Sequence, residues 1–192
     1  GSEITIDNIE FTGSGIAPFP NGSFESWVCS SIEEPDNWFT SNIFNIYNNS
    51  FSIIKATDVH SGNYAVKIRN KISAWGDTIS FITNGRIGEN GPTSGMGINQ
   101  NPKKISGYYK YSPVNNDTAL AYAFTYRYDP LSGDTIMQDS NLVKLTAENN
   151  YTYFEINLNN HTEIADTLNI AFSAGNLENE DYVEYLSTLY ID

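Results

Sequence analysis

The chain has 192 residues, 23 acidic and 10 basic, for a formal net charge of -13. Nucleic-acid backbones and anionic membrane surfaces require clustered Lys and Arg, so this balance argues against both as partners. The content of 14% aromatic residues, with 13 Tyr, 24 Asn, 19 Ser and 15 Thr, belongs to a folded chain with a polar surface and not to a disordered one.

The length suits one domain over residues 1–192 with a full core. Gly1-Ser2 reads as the remnant of a cleaved tag, so a leader segment would have been left out. Residues 3–20 hold a first strand, Glu3–Phe11, and a Gly/Ser/Pro loop. The single Cys29 allows no intrachain disulfide and no cysteine zinc site, and reads as a small buried hydrophobe. No apolar run approaches the roughly 18 residues of a membrane span, so no membrane insertion is expected.

From there the dominant period is two. Strands are expected at Phe51–Ala56, Tyr64–Arg69, Thr78–Ile82, Ile105–Tyr111, Leu120–Tyr128, Leu142–Thr146, Tyr153–Leu158, Thr167–Ala174 and Tyr185–Ile191. Each is short, rich in β-branched or aromatic residues, and bounded by Gly, Pro, Asn or Asp. Turn signals include Ser61-Gly62-Asn63, Asn84-Gly85, Asn115-Asn116-Asp117 and Ser132-Gly133-Asp134. No segment carries a capped helical period, and there is no internal repeat or interdomain linker. The expectation is an all-β, two-sheet β-sandwich of jelly-roll type, with an up-and-down barrel as the alternative. The glycine-rich stretch Gly85–Gly97 reads as a long surface loop, either a crossover or one wall of a binding site.

Four segments, in order, carry a resemblance. Asn21-Gly-Ser-Phe-Glu-Ser-Trp27 precedes Pro35-Asp-Asn-Trp38. Asp58-Val-His-Ser-Gly-Asn-Tyr-Ala-Val-Lys-Ile68 follows, and the chain closes on Ser187-Thr-Leu-Tyr-Ile-Asp192. This order resembles the jelly-roll carbohydrate-binding modules. The middle, Ile105-Ser-Gly-Tyr-Tyr-Lys-Tyr-Ser-Pro113, is similar to a strand of a domain group associated with carbohydrate metabolism in secreted and cell-surface Bacteroidetes proteins. The likeness runs from about Asn21 to Asp192. It implies a structural calcium ion (Ca2+) with Glu25 and Asp192 as carboxylate ligands and carbonyl oxygens from Ser23, His60 and Asn63. Calcium takes six to eight oxygens, and turns offer unpaired carbonyls. The other reading of these acids is a solvated edge residue and a terminal one.

Sugars present flat C–H faces rimmed by hydroxyls, so a site for them needs an exposed ring and polar readers. Trp75, in Ser73-Ala-Trp-Gly76, is the first stacking candidate. Trp38 is a second, though its motif position also suits a core residue, as does that of Trp27. In the strand around Leu120–Tyr128, Leu120, Tyr122, Phe124, Tyr126 and Tyr128 share one face, and Ala121, Ala123, Thr125 and Arg127 share the other. The expectation is that the aromatic faces build the core. The small-residue face, with Arg127, Tyr108 and Lys110 nearby, would then floor a concave groove.

No catalytic constellation stands out. Many acids are present, including Glu33, Glu34, Asp77, Asp117, Asp129, Asp134, Asp139 and Asp166, but nothing pairs them as a glycosidase requires. His60 and His161 are far apart in sequence. The expected function is therefore non-catalytic binding of a polysaccharide or oligosaccharide, in a secreted or cell-surface protein of a Gram-negative bacterium. The chain would act as a monomer or as part of a larger multidomain protein. The alternatives are a structural or adhesive module without a sugar site, and a jelly-roll glycan hydrolase or lyase.

Overall fold

The computed structural model describes residues 23, 32–48, 50–73, 76–88, 91–159, 162–177 and 183–192. The chain divides into two compact units, Gly1–Ser31 and Ile32–Asp192, and the architecture given below is that of the second. The expected strand Glu3–Phe11 and the residues Glu25, Trp27, Cys29, Trp75 and His161 lie outside the described residues.

The strands in chain order are β1 (Phe39–Thr40), β2 (Ile53–Ala56), β3 (Ala65–Arg69), β4 (Lys71–Ile72), β5 (Thr78–Ile79), β6 (Phe81–Thr83), β7 (Arg86–Gly88) and β8 (Gly91–Thr93). They continue with β9 (Met96–Gly97), β10 (Lys104–Ser112), β11 (Ala119–Asp129), β12 (Asp134–Leu145), β13 (Glu148–Asn157), β14 (Thr167–Ser173) and β15 (Thr188–Ile191). Two antiparallel sheets form a sandwich. One has the order β1-β6-β14-β11-β12, with β9 also on β14, and the other has the order β13-β10-β15-β3-β2. The chain passes repeatedly between them: β3 to β6, β9 to β10, β10 to β11, β12 to β13, β13 to β14 and β14 to β15. Among the described residues each sheet keeps its own edges, as a sandwich does and a closed barrel does not. Among the described residues no helix is long and apolar enough to cross a membrane.

The core lies between the sheets. Ile53, Ile68, Tyr109, Tyr111, Phe154, Ile156 and Leu189 meet Ile82, Ala119, Ala121, Ala123, Leu145, Leu168 and Phe172. β10 alternates: Tyr109 and Tyr111 are buried, while Tyr108 and Lys110 point out. The reading of β11 is reversed. Its alanines are the core face, with Ala119, Ala121 and Ala123 fully buried, and Tyr122, Phe124 and Tyr126 form a stacked ladder on the opposite face with centroids 5.9 and 6.4 Å apart.

The reason is volume. The aromatic rings of Tyr109, Tyr111, Phe154 and Phe172 fill the space between the sheets, and close packing then demands small residues opposite them. Gly107 follows the same logic, because a Cβ there would stand 3.1 Å from the Phe154 ring. The groove expected over Ala121, Ala123 and Thr125 is therefore absent; that surface is interior.

Candidate functional site

Trp38 is positioned by local chemistry. Its N–H donates to the Pro35 carbonyl at 3.1 Å, closing a four-residue turn whose third member, Asn37, takes φ 64°. Asn tolerates this left-handed conformation better than most residues. The turn delivers Trp38 at the start of β1 with its indole against Phe172, centroids 6.3 Å apart. One side of the ring is thus held by the core, and the residue remains partly exposed.

The facing wall comes from the glycine-rich stretch, whose described residues include three short strands and are not a simple loop. β7 and β8 pair as a hairpin, and β9 returns to β14 through Thr167 and Leu168. Asn84 seats the hairpin. Its N–H donates to the Ile170 carbonyl at 3.1 Å, its Oδ1 accepts the Ile170 N–H at 2.7 Å, and its Nδ2 donates to the Leu168 carbonyl at 3.2 Å. The side chain thereby fills the gap in the edge of β14 between β6 and β9. Gly95 packs so closely on β14 that a Cβ would lie 2.3 Å from the Leu168 carbonyl oxygen.

Between these walls lies a cleft of about 790 Å³. Trp38, Asp36, Asn37, Arg86 and Met96 are among its lining residues, with Asn84, Ser94 and Ile170. It combines an anchored ring with a polar rim, and its size suits a small organic ligand. The sequence pointed to Trp38 but not to Asp36, Asn37 or Arg86. The Pro-Asp-Asn-Trp turn was visible, but its opposition to a hairpin some fifty residues away was not.

The other expected contacts fall elsewhere. Tyr108 and Lys110 project from the open face of the five-stranded sheet. Tyr108 stacks on His60, centroids 3.6 Å apart and nearly parallel, with Tyr153 edge-on at 5.7 Å. Lys110 is ion-paired with Asp58, and its Nζ lies over the rings of Tyr190 and Tyr151 at 4.7 and 5.3 Å. Tyr151 donates its hydroxyl to the Asp58 carbonyl at 2.6 Å. Burial first, then the charges of Asp58 and Asp192, push the Tyr151 phenol up to about 12. Arg127 belongs to neither place; it sits at the end of β11 in the six-stranded sheet, paired with Glu163 at 2.9 Å. The structure thus separates Arg127 from Tyr108 and Lys110, with which it was expected to share a groove.

Of the expected calcium ligands, Asp192 and His60 are brought together. Asp192 Oδ2 accepts the N–H groups of His60 and Ser61 at 2.6 and 3.0 Å. The carboxylate meets amide donors here, which are not metal ligands, but among the described residues Oδ1 meets the Ser61 hydroxyl at 3.5 Å and keeps lone pairs for a cation. Asn63 lies in the same exposed turn, and Ser23 is an exposed turn residue. Among the described residues no cluster of three or more His, Cys, Asp or Glu side chains forms a metal site.

No family model matches this chain, and no curated protein matches it. Its fold matches solved structures. A "putative glycoside hydrolase" of Bacteroides vulgatus aligns with TM-score 0.66 at 15% identity, over 81% of this chain and 83% of that one. A second protein of the same description, from Bacteroides thetaiotaomicron, aligns with TM-score 0.65 at 15% identity, over 100% of this chain and 70% of that one. A family 16 carbohydrate-binding module aligns with TM-score 0.45 at 10% identity, over 76% of this chain and 84% of that one. At these identities the likeness is one of fold.

Proposed function

We propose that this chain is a glycan-recognition module of a secreted or surface protein, and that it binds an oligosaccharide or a polysaccharide branch in the Trp38 cleft without cutting it. The observation that carries this reading is the indole itself, braced by Phe172 on one side and lining a cleft with polar groups on its rim. A sugar would lay its C–H face on the ring and offer hydroxyls to Asp36, Asn37 and Arg86. Bracing by the core matters because a ring already fixed loses little entropy on binding.

Asp36 is the one acid among the described lining residues, and glycoside hydrolysis uses two carboxylates about 5–10 Å apart. This favours binding over cleavage. The names of the two Bacteroides proteins make hydrolysis the second reading, and release of new reducing ends from a bound glycan would establish it.

A glycan array tests the proposal. The wild type is expected to bind at least one neutral glycan, and Trp38→Ala to weaken that binding at least tenfold, about 1.4 kcal/mol. Because Trp38 also packs on the core, Arg86→Ala serves as the second variant, with thermal melts to confirm that both remain folded. No binding by the wild type to any glycan would leave a structural or adhesive module as the better description.

A further inference from the structure

The two outer faces of the sandwich differ. On the six-stranded sheet, outward positions such as Leu120, Thr83, Asn169, Ser173 and Phe81 are buried. On the five-stranded sheet several outward residues of β10 and β13 remain accessible, with Tyr153 47% exposed and the Lys104 side chain 51% exposed. A face that only has to stay wet needs no aromatic residues, yet this one carries Tyr108, Tyr151, Tyr153 and Tyr190.

It also gathers cations. The whole chain has 10 Lys and Arg against a net charge of -13, and Lys67, Arg69, Lys104 and Lys110 all project here. Lys104 is matched by Glu155 and Lys110 by Asp58. Lys67 and Arg69 form no ion pair among the described residues; Lys67 lies over the Tyr190 ring at 5.3 Å and Arg69 Nε donates to the Thr188 hydroxyl at 3.0 Å.

Register makes this a row. Tyr190 is the cross-strand partner of Lys67 in β3 and of Lys110 in β10. Tyr151 lies opposite Lys110 where the β10–β13 register runs on from the Tyr108–Tyr153 and Tyr109–Thr152 pairs, with its ring under the Lys110 Nζ. Lys67, Tyr190, Lys110 and Tyr151 therefore cross four adjacent strands, a span of about 14 Å at roughly 4.8 Å per strand. Alternating rings and ammonium groups suit a ligand with both flat apolar faces and anionic groups. The face already holds carboxylates in this way: Lys104 Nζ and the Tyr153 hydroxyl both meet Glu155 Oε2, at 3.0 and 3.1 Å.

We propose that the open face of the five-stranded sheet is a second binding surface, for a linear polysaccharide bearing carboxylates. Lys67 and Arg69 take its carboxylates, and the exposed Tyr153 takes a sugar face beside them. The overall charge of -13 repels a polyanion at a distance, so recognition is local, within a screening length of about 8 Å. The surface is separate from the Trp38 cleft and stands whether or not the cleft reading does.

Affinity electrophoresis in gels containing polygalacturonate tests it, with fully methyl-esterified polygalacturonate and heparin as the other arms. The wild type is expected to be retarded by polygalacturonate, and at least tenfold more weakly by the ester and by heparin. Lys67→Glu and, at an exposed position, Tyr153→Ala are each expected to reduce retardation at least fivefold while keeping the wild-type melting midpoint. No retardation by polygalacturonate, equal retardation by the ester or heparin, or unchanged retardation in both variants would overturn the proposal. Retardation lost in Trp38→Ala but kept in Lys67→Glu would place the polymer in the cleft and overturn it equally.

Discussion

Several side-chain amides and carboxylates in this protein take hydrogen bonds that a neighbouring strand would otherwise supply. Asn42 is fully buried; its Oδ1 accepts the N–H groups of Ser52 and Ile53, both at 2.9 Å, and its Nδ2 donates to the Ile53 carbonyl. Asn84 does the same for β14, and Asp192 for the turn at His60. An Asn side chain carries the same donor and acceptor as a peptide unit, which gives the high Asn content a structural use.

Asp139 is the charged case. Its Oδ2 accepts the Asn159 N–H at 2.7 Å and its Oδ1 the Asn159 Nδ2 at 2.9 Å. Burial alone would raise its pKa, but the bonds from Asn159, Asn141 and Ser140 outweigh that and hold the carboxyl below its usual range. Asp139→Ala is expected to cost about 1–3 kcal/mol at pH 7. A depressed folded pKa gives stability that is present above the unfolded value of about 3.9 and lost as pH falls through the folded one. The gap between variant and wild type should therefore shrink on acidification below about pH 4. Urea unfolding at pH 7 and pH 3 checks both statements.

At the scale of elements, strands with at least one continuous buried face were the legible ones. Expected Tyr64–Arg69, Ile105–Tyr111, Leu120–Tyr128 and Thr167–Ala174 match β3, β10, β11 and β14 within about two residues. β12 was read only from Leu142 and begins at Asp134. Its first half is an exposed edge, paired on one side with β11, so no alternation marks it. The β7–β8 hairpin was hidden because glycine signals turn and loop more strongly than strand. What holds that hairpin is Asn84. Asn84→Ala removes two side-chain bonds to β14 and leaves the Ile170 N–H without its partner, an expected loss of about 1–3 kcal/mol. Limited proteolysis should cut the variant faster within residues 86–93 than the wild type, and a thermal melt should show the stability loss.

For the whole molecule, the proposed calcium ion would join the last strand to the β2–β3 loop, through the Asp192 carboxylate and the carbonyls of His60 and Asn63. The position of Asp192 against that loop, some 130 residues earlier in the chain, supports it. An ion bound at a hundred times its dissociation constant adds about 2.7 kcal/mol, so EDTA is expected to lower the melting midpoint by about 5–10 °C. An unchanged midpoint would remove calcium from the proposal.

The sequence by itself determined the class of fold, because a period of two with turn residues between short runs leaves little but sheets. It also placed Tyr108 and Lys110 together on an outward face of β10. Only the tertiary structure decided which face of β11 is interior. Alternation shows that two faces exist, but the volume available opposite them selects alanine or tyrosine for the core. Cross-strand register likewise decided that Lys67, Tyr190, Lys110 and Tyr151 form a row, and hairpin seating decided that Trp38 faces a wall. Those juxtapositions join residues from distant segments, and no local pattern encodes them.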